Sequence, residues 1–320
     1  VDQHHLSHRR ASIPSSAFLV AVDIVGSGGT IVRLGAVFPQ AEFRHLDPDQ
    51  LVAFVQRVED AGYDHLLAFD HVLGADARAR PGWSGFYDHH DPFLEPIVLF
   101  AYLAHACGLE LVTDVLVLPQ RQTALVAKQV ATLALLAPGR IRLGVGIGWN
   151  AVEYEALGID FAARAARLEE QIALLRRLWT EASVDHAGVS DTVHAAGIAP
   201  LPPSPVPIWL GSGTDSRAIA RVGRLADGWL PMPHVQPGGE FEAAWRAVQS
   251  SAAEAGRDTG ALGLEGHIRA RADDVAPVVE GAARWRDAGA DAIAINPLRG
   301  DARWPDGHLD VLLRAADLVR

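Results

Sequence analysis

Eight times along this chain a short apolar run with strand character gives way to a longer stretch with helical spacing. That alternation restricts the fold more than any motif does. The strand readings fall at 31–38, 65–69, 109–118, 140–147, 208–210, 227–230, 262–270 and 291–295. The helical readings fall at 48–61, 93–105, 122–136, 151–181, 215–225, 241–255, 274–288 and 308–319. The first helix has Leu51, Val52, Val55 and Val58 on one face, Asp47 as its N-cap and Gly62 after its end. Strands that recur after helical crossovers run parallel, and eight such units across residues 31–320 imply a single α/β domain, a (β/α)8 TIM barrel. Residues 182–206, proline-rich at their end, do not fit the repeat and read as an irregular insertion after the fourth helix.

Composition narrows the function classes. A 320-residue chain with 49% hydrophobic residues can bury a large core, and a net charge of −11 with no basic run argues against a nucleic-acid surface. No apolar run is long enough to cross a bilayer, so no membrane partner is expected. The one cysteine, Cys107, leaves no internal disulfide framework and fits a reducing cytoplasm. Lys128 is the only lysine among 28 basic residues, a bias typical of GC-rich coding. Residues 1–30 are expected to form a disordered extension. Their apolar stretch, 17–25, is short for a signal peptide and is broken by Asp23.

In a barrel of this kind the residues that follow each strand meet at one mouth. They are Phe38-Pro39, Asp70-His71, Thr113-Asp114-Val115, Gly146 to Asn150, Gly211-Ser212-Gly213-Thr214, Pro231-Met232 and Asn296-Pro297. Gly144, Gly146 and Gly148 alternate with apolar residues at the end of the fourth strand, so a ligand or another segment of chain can approach that face closely. Glycine turns that run into helices expose backbone N–H groups suited to a phosphate, although packing of the helix on the strand would also account for the glycines. Phe38, Trp149 and Met232 offer flat apolar walls, whereas Trp209 and Trp229 read more simply as core. His71, beside Asp70, is the candidate proton donor or hydrogen-bonding group. Asp70, His71 and Asp114 could begin a metal set that His89, His90 or His234 would complete from loops, but the pattern is unconvincing and no metal is expected. The stretch from Leu73 to Pro92, rich in Gly, Pro, Trp and His, is long for a connection in a compact domain and reads as functional.

With these residues placed, the chain from about Ile31 to Asn296 resembles the luciferase-like flavin and deazaflavin oxidoreductases. The resemblance rests on Leu34-Gly-Ala-Val-Phe-Pro39, Phe69-Asp-His71, Gly139-Arg-Ile-Arg-Leu-Gly-Val-Gly-Ile-Gly-Trp-Asn150 with Glu153, Leu157, Gly158, Phe161, Arg164 and Arg167, Pro207-Ile-Trp-Leu-Gly-Ser-Gly213 and Ala226-Asp-Gly-Trp229. It implies a TIM barrel with coenzyme F420, or alternatively FMN, bound in the mouth, and the glycine run is closer to the F420-dependent branch. It further implies that His71 lies beside the ring and that Asp114-Val115 forms a strand bulge, often with a cis peptide, behind it. Gly146, Gly148, Gly211, Ser212 and Gly213 would hold the phosphate side, with Trp149, Asn150 and Thr214 in the same turns.

Two departures stand out. Where the F420 sugar-phosphate dehydrogenases have a glutamate in the glycine turn this chain has Trp149, and where they have a tryptophan after the Asp-His pair it has Leu73-Gly74-Ala75. A hydrophobic or conjugated small molecule is therefore the expected substrate. The expected activity is hydride transfer between F420 and that molecule. The alternatives are an FMN monooxygenase served by a separate flavin reductase, or a catalytically silent flavin-binding protein. The resemblance also makes a homodimer plausible.

Overall fold

The structure, a computed structural model, describes residues 32–43 and 45–319. The expected extension at 1–30 and the first strand residue, Ile31, lie outside the described residues. Among these, eight parallel staves close into a barrel. Strand β1 (Arg33–Val37) pairs with β2 (His65–Ala68) on one side and with β11 (Ala292–Asn296) on the other. From β2 the ladder continues through β3 (Glu110–Thr113), β5 (Ile141–Gly146), β8 (Ile208–Ser212), β9 (Gly228–Pro231) and β10 (Gly263–Arg269) to β11. Helices α1 (Pro48–Asp60), α2 (Pro96–Leu103), α3 (Thr123–Leu136), α6 (Ser216–Leu225), α7 (Glu240–Glu254), α8 (Pro277–Asp287) and α9 (Asp306–Val319) make the crossovers and the outer layer. None of the described helices is long and apolar enough to cross a membrane.

Three elements differ from the sequence reading. The strand expected at 109–118 is broken: β3 stops at Thr113, a bulge intervenes, and the short β4 (Leu116–Val117) resumes pairing with β5. The helix expected at 151–181 is two helices, α4 (Ala151–Ala156) and α5 (Arg164–Thr180), because Gly158 takes a φ of +68° and ends the first. The insertion at 182–206 is not wholly irregular. It contains an antiparallel hairpin, β6 (Val184–Ala187) and β7 (Thr192–Ala196), whose turn donates the backbone N–H groups of Val189, Ser190 and Asp191 to the Glu170 carboxylate on α5.

The alternation on β5 divides two environments. Leu143 and Val145 join the large apolar core beneath the helices, while Arg142 and Gly144 face the barrel axis. The lower interior is a ladder of charges rather than an apolar plug. Arg33 donates to Glu110 at 2.7 Å, Arg142 bridges Glu110 at 3.2 Å and Glu265, and His65 lies 2.6 Å from the other Glu265 oxygen. The Arg142 guanidinium also lies 4.4 Å from the centre of the Trp209 ring. Gly228 and Gly263 clear the space for that indole, since a Cβ at either position would sit 2.4 or 2.1 Å from it. Trp229 points the other way and stacks on Phe241, with ring centres 5.8 Å apart. Trp229 is therefore core, whereas Trp209 is part-buried beneath Arg142 in the barrel interior.

Burial alone would raise the Glu265 and Glu110 carboxyls, but Arg142 and His65 outweigh it and hold both below the usual carboxylate range. Their contribution to stability is complete above the unfolded value of about 4.3 and is lost as pH falls through the folded values. Replacing Arg142 by alanine leaves two buried carboxylates without their shared partner, and should lower the unfolding free energy at pH 7 by about 3–5 kcal/mol. Urea unfolding at pH 7 and pH 3 should show the difference from the parent narrowing at the lower pH, where the abandoned glutamates can bind protons.

Candidate active site

Above the charge ladder, Val37, Leu67, Val112 and Ala294 form a thin apolar layer with Phe69 and Leu298 against it. The C-terminal strand ends rise from this layer. At the end of β2, Asp70 is buried, accepts the Val117 backbone N–H at 2.8 Å and is paired with Arg121 at 2.7 Å. Arg121 in turn reaches Glu95 at 2.8 Å. Asp70 thus ties the end of β2 to β4, which makes it a positioning residue beside His71.

His71 is held differently. Its Nδ1 lies 3.0 Å from Oε1 of Glu153, which also accepts the Val72 N–H at 3.0 Å, while Oε2 accepts from Gln120 at 2.8 Å. Burial would push Glu153 up, but its hydrogen bonds from His71 and Gln120 outweigh that and hold it below the usual carboxylate range. An ionised carboxylate only accepts, so Nδ1 carries the hydrogen and Nε2 is the atom available to a ligand. Sequence reasoning noted Glu153 only as part of a resemblance. An acid three residues after the helix cap Asn150 reads most simply as a capping residue, and only the fold shows that its carboxylate goes to His71.

Around that imidazole the long loop, the residue that follows it and the turn after β5 supply aromatic walls. Tyr87, Phe93 and Trp149 lie 5.2, 4.7 and 5.5 Å from the His71 ring centre, and Trp83 and Phe86 each lie 5.8 Å from Trp149. Gly85 passes against both indoles, where a Cβ would sit 2.2 Å from Trp83 and 2.7 Å from Trp149. Trp149 remains 36% exposed and Phe86 70%, so apolar surface stays open at the mouth. Arg299, with a φ of +61°, donates to the Phe86 carbonyl and lies over the Phe86 and Tyr87 rings. Phe38 does not belong to these walls. Strand alternation turns Val37 inward and Phe38 outward, and Phe38 is fully buried against Phe54 and Trp304.

The bulge lies where the resemblance put it, and the peptide between Asp114 and Val115 is cis. Asp114 is buried 3.4 Å from His267 Nε2, and burial pushes its carboxyl up against the pull of that histidine. Val115 fixes the meaning of two glycines. A Cβ on Gly146 would sit 2.5 Å from Val115 Cγ2, and one on Gly211 would sit 2.7 Å from Val115 Cγ1. Gly148, with a φ of +65°, faces Val117 in the same way. These three glycines make room for the chain itself.

The adjoining helix starts are also partly occupied. Asn150 caps Val152, and Asp215 accepts from Arg217 and Ala218. Ser212 accepts the Trp229 indole N–H at 2.9 Å, and Thr214 donates to Glu240 at 3.3 Å. Gly213 alone in this set opens on space with no atom within 4 Å of a Cβ position. Asp70, His71 and Asp114 are committed to Arg121, Glu153 and His267 and do not converge on a common point as metal ligands.

Residues 31–300 match the family model described as luciferase-like monooxygenase. The chain belongs to that family. An F420-dependent glucose-6-phosphate dehydrogenase from Segniliparus rotundus is 29% identical over 234 residues, 70% of this chain and 64% of that protein. An F420-dependent hydroxymycolic acid dehydrogenase from Mycobacterium tuberculosis is 30% identical over 258 residues, 79% of this chain and 66% of that protein. The chain thus spans just under two thirds of the length of these curated relatives. The fold is shared with an F420-dependent secondary alcohol dehydrogenase solved with an F420-acetone adduct, at a TM-score of 0.72 and 16% identity over 90% of this chain and 99% of that one. It is shared equally with a monooxygenase from Streptomyces bottropensis, at a TM-score of 0.71 and 17% identity over 90% and 97%.

The contact between Val115 and Gly146 can be tested as a pair. Gly146→Ala should cost about 1–3 kcal/mol through overpacking. Adding Val115→Ala should recover most of the loss, giving a coupling in a double-mutant cycle of denaturation midpoints that two independent sites would not give.

Proposed function

We propose that this protein is a coenzyme F420-dependent oxidoreductase acting on a small, apolar or conjugated organic substrate. The observation that carries the reading is His71 at the barrel mouth, its Nδ1 fixed by the ionised Glu153 and its ring enclosed by Tyr87, Phe93 and Trp149. The names of the relatives favour F420 over FMN. The residues fit such a cofactor: Val115 projects between Gly146 and Gly211 as an apolar support for a flat ring, and Gly213 leaves free space beside the turn that enters α6. We assign the ring side to Val115, His71 and Trp149 and the phosphate side to the Gly213-Thr214 turn and the neighbouring Asn150 loop. Bound F420 supplies a two-electron hydride donor or acceptor.

The chain supplies the surroundings of that chemistry. Glu153 keeps the His71 imidazole in one tautomer, so that Nε2 can accept a hydrogen bond when neutral or donate one when protonated. Gln120 and the Val72 N–H hold Glu153 in turn. Trp83, Phe86 and Trp149 line one side of the mouth with apolar rings and offer no carboxylate, which favours an apolar substrate over a sugar phosphate.

Fluorescence titration of the apo-protein with F420 and, separately, with FMN tests the cofactor. Preferential F420 binding, weakened at least tenfold in Gly213→Asp, supports both the cofactor and the turn. Preference for FMN would instead make the protein a monooxygenase candidate that needs a partner reductase. Under saturating F420, Glu153→Gln should lower kcat on an enone substrate at least tenfold with little change in F420 affinity. A screen in which only sugar phosphates or polyols turn over would overturn the substrate class.

A further inference from the structure

The mouth loop carries a second group of ligand-type side chains that the chemistry at His71 does not use. We infer that Asp88, His89 and His90 form a binding site for a divalent cation of the zinc and nickel kind on the outer face of that loop. One potential ligand atom from each of the three lies within 4.8 Å of the others. Ligands in a tetrahedral zinc shell, with bonds of about 2.0–2.1 Å, lie roughly 3.3 Å apart, and both imidazoles are exposed.

The backbone under these side chains is already built. The Asp88 N–H is accepted by Asp91 at 2.7 Å, the His90 N–H by Asp88 Oδ1 at 2.7 Å, and the Asp91 N–H by the Asp88 carbonyl at 3.2 Å. The stem of the loop is closed by a bridge between Ala75 and Asp88, with Gly74 so close that a Cβ there would sit 2.1 Å from the Asp88 carbonyl oxygen. The His89 ring is oriented as metal-bound histidines commonly are. Its Nδ1 lies 3.2 Å from the Ala75 carbonyl, which can only accept, so the Nδ1 hydrogen is committed there and Nε2 keeps a lone pair for a ligand. The His90 ring lies beside it, with centres 3.9 Å apart. Two imidazole nitrogens and one carboxylate oxygen are the donor set that borderline divalent metals prefer over calcium or magnesium. The open positions would be filled by water.

The proposal is independent of the cofactor reading. Its test is a calorimetric titration of the chelator-treated full chain with zinc chloride and nickel chloride. Because His4, His5 and His8 can also bind metal, the titration is run on a chain with those three replaced by alanine. One equivalent of metal should bind. His89→Ala and His90→Ala should each weaken it at least tenfold, and Asp88→Asn, which keeps an acceptor for the His90 N–H, should weaken it less. Unchanged thermal unfolding of the metal-free variants would show that the loss is local. Saturable binding that survives in the double variant His89→Ala/His90→Ala, or the absence of saturable binding below millimolar metal, would overturn the assignment.

Discussion

The interior of this barrel is held by Arg142. Its guanidinium spans the axis from Glu110 on β3 to Glu265 on β10 and also covers the Trp209 ring. Charges of this kind are costly to desolvate, and they are tolerated because each has a partner and the ladder extends to Arg33 and His65. The geometry of the mouth rests on this arrangement. With the lower interior filled by paired charges and one indole, the apolar layer around Leu67 and Val112 has a fixed floor, and the strand ends above it emerge at set heights.

The eight staves were legible because their outward faces alternate regularly, as in Ile141, Leu143 and Val145. The ladder was not. A charged residue on an alternating strand, such as Arg142 or Glu265, normally marks a solvent face, and pairing partners 123 residues apart leave no local trace. The break in the fourth helix was hidden for a related reason: Leu157 and Phe161 keep helical spacing across Gly158, and only its positive φ shows that the chain turns there. The hairpin at Val184–Ala196 was missed because its strands are short and largely exposed, so they carry little apolar alternation.

At the mouth, the sequence indicated which residues matter better than what they do. The glycines at 146 and 211 were conspicuous, and an anion site was a reasonable reading of glycine turns before helices. The fold shows that they also have a steric task, because Val115 reaches toward both. That contact joins the bulge after β3 to two neighbouring staves, and no local spacing rule connects residues 115, 146 and 211. Asp70 and His71 illustrate the same limit. Adjacent in sequence, they point to different partners, Arg121 and Glu153, and so divide into a tether for β4 and an imidazole fixed at the barrel mouth.

The long loop between Leu73 and Pro92 follows a different physical logic from the barrel. It buries little apolar core and is fixed by discrete polar ties: Arg299 to the Phe86 carbonyl, Arg80 to Glu155 at 3.0 Å, and the closed turn at Asp88 to Asp91. Segments held this way open at lower free energy than the strands beneath them. The loop's share of the mouth is therefore separable from barrel stability. Changes at Trp83, Phe86 or Tyr87 alter the walls around His71 without touching the ladder at Arg142. Trp149 is the exception, because it leaves the glycine-rich end of β5 and carries the loop's aromatic rings on its own. Its substitution would act on both the wall and the turn that supports it.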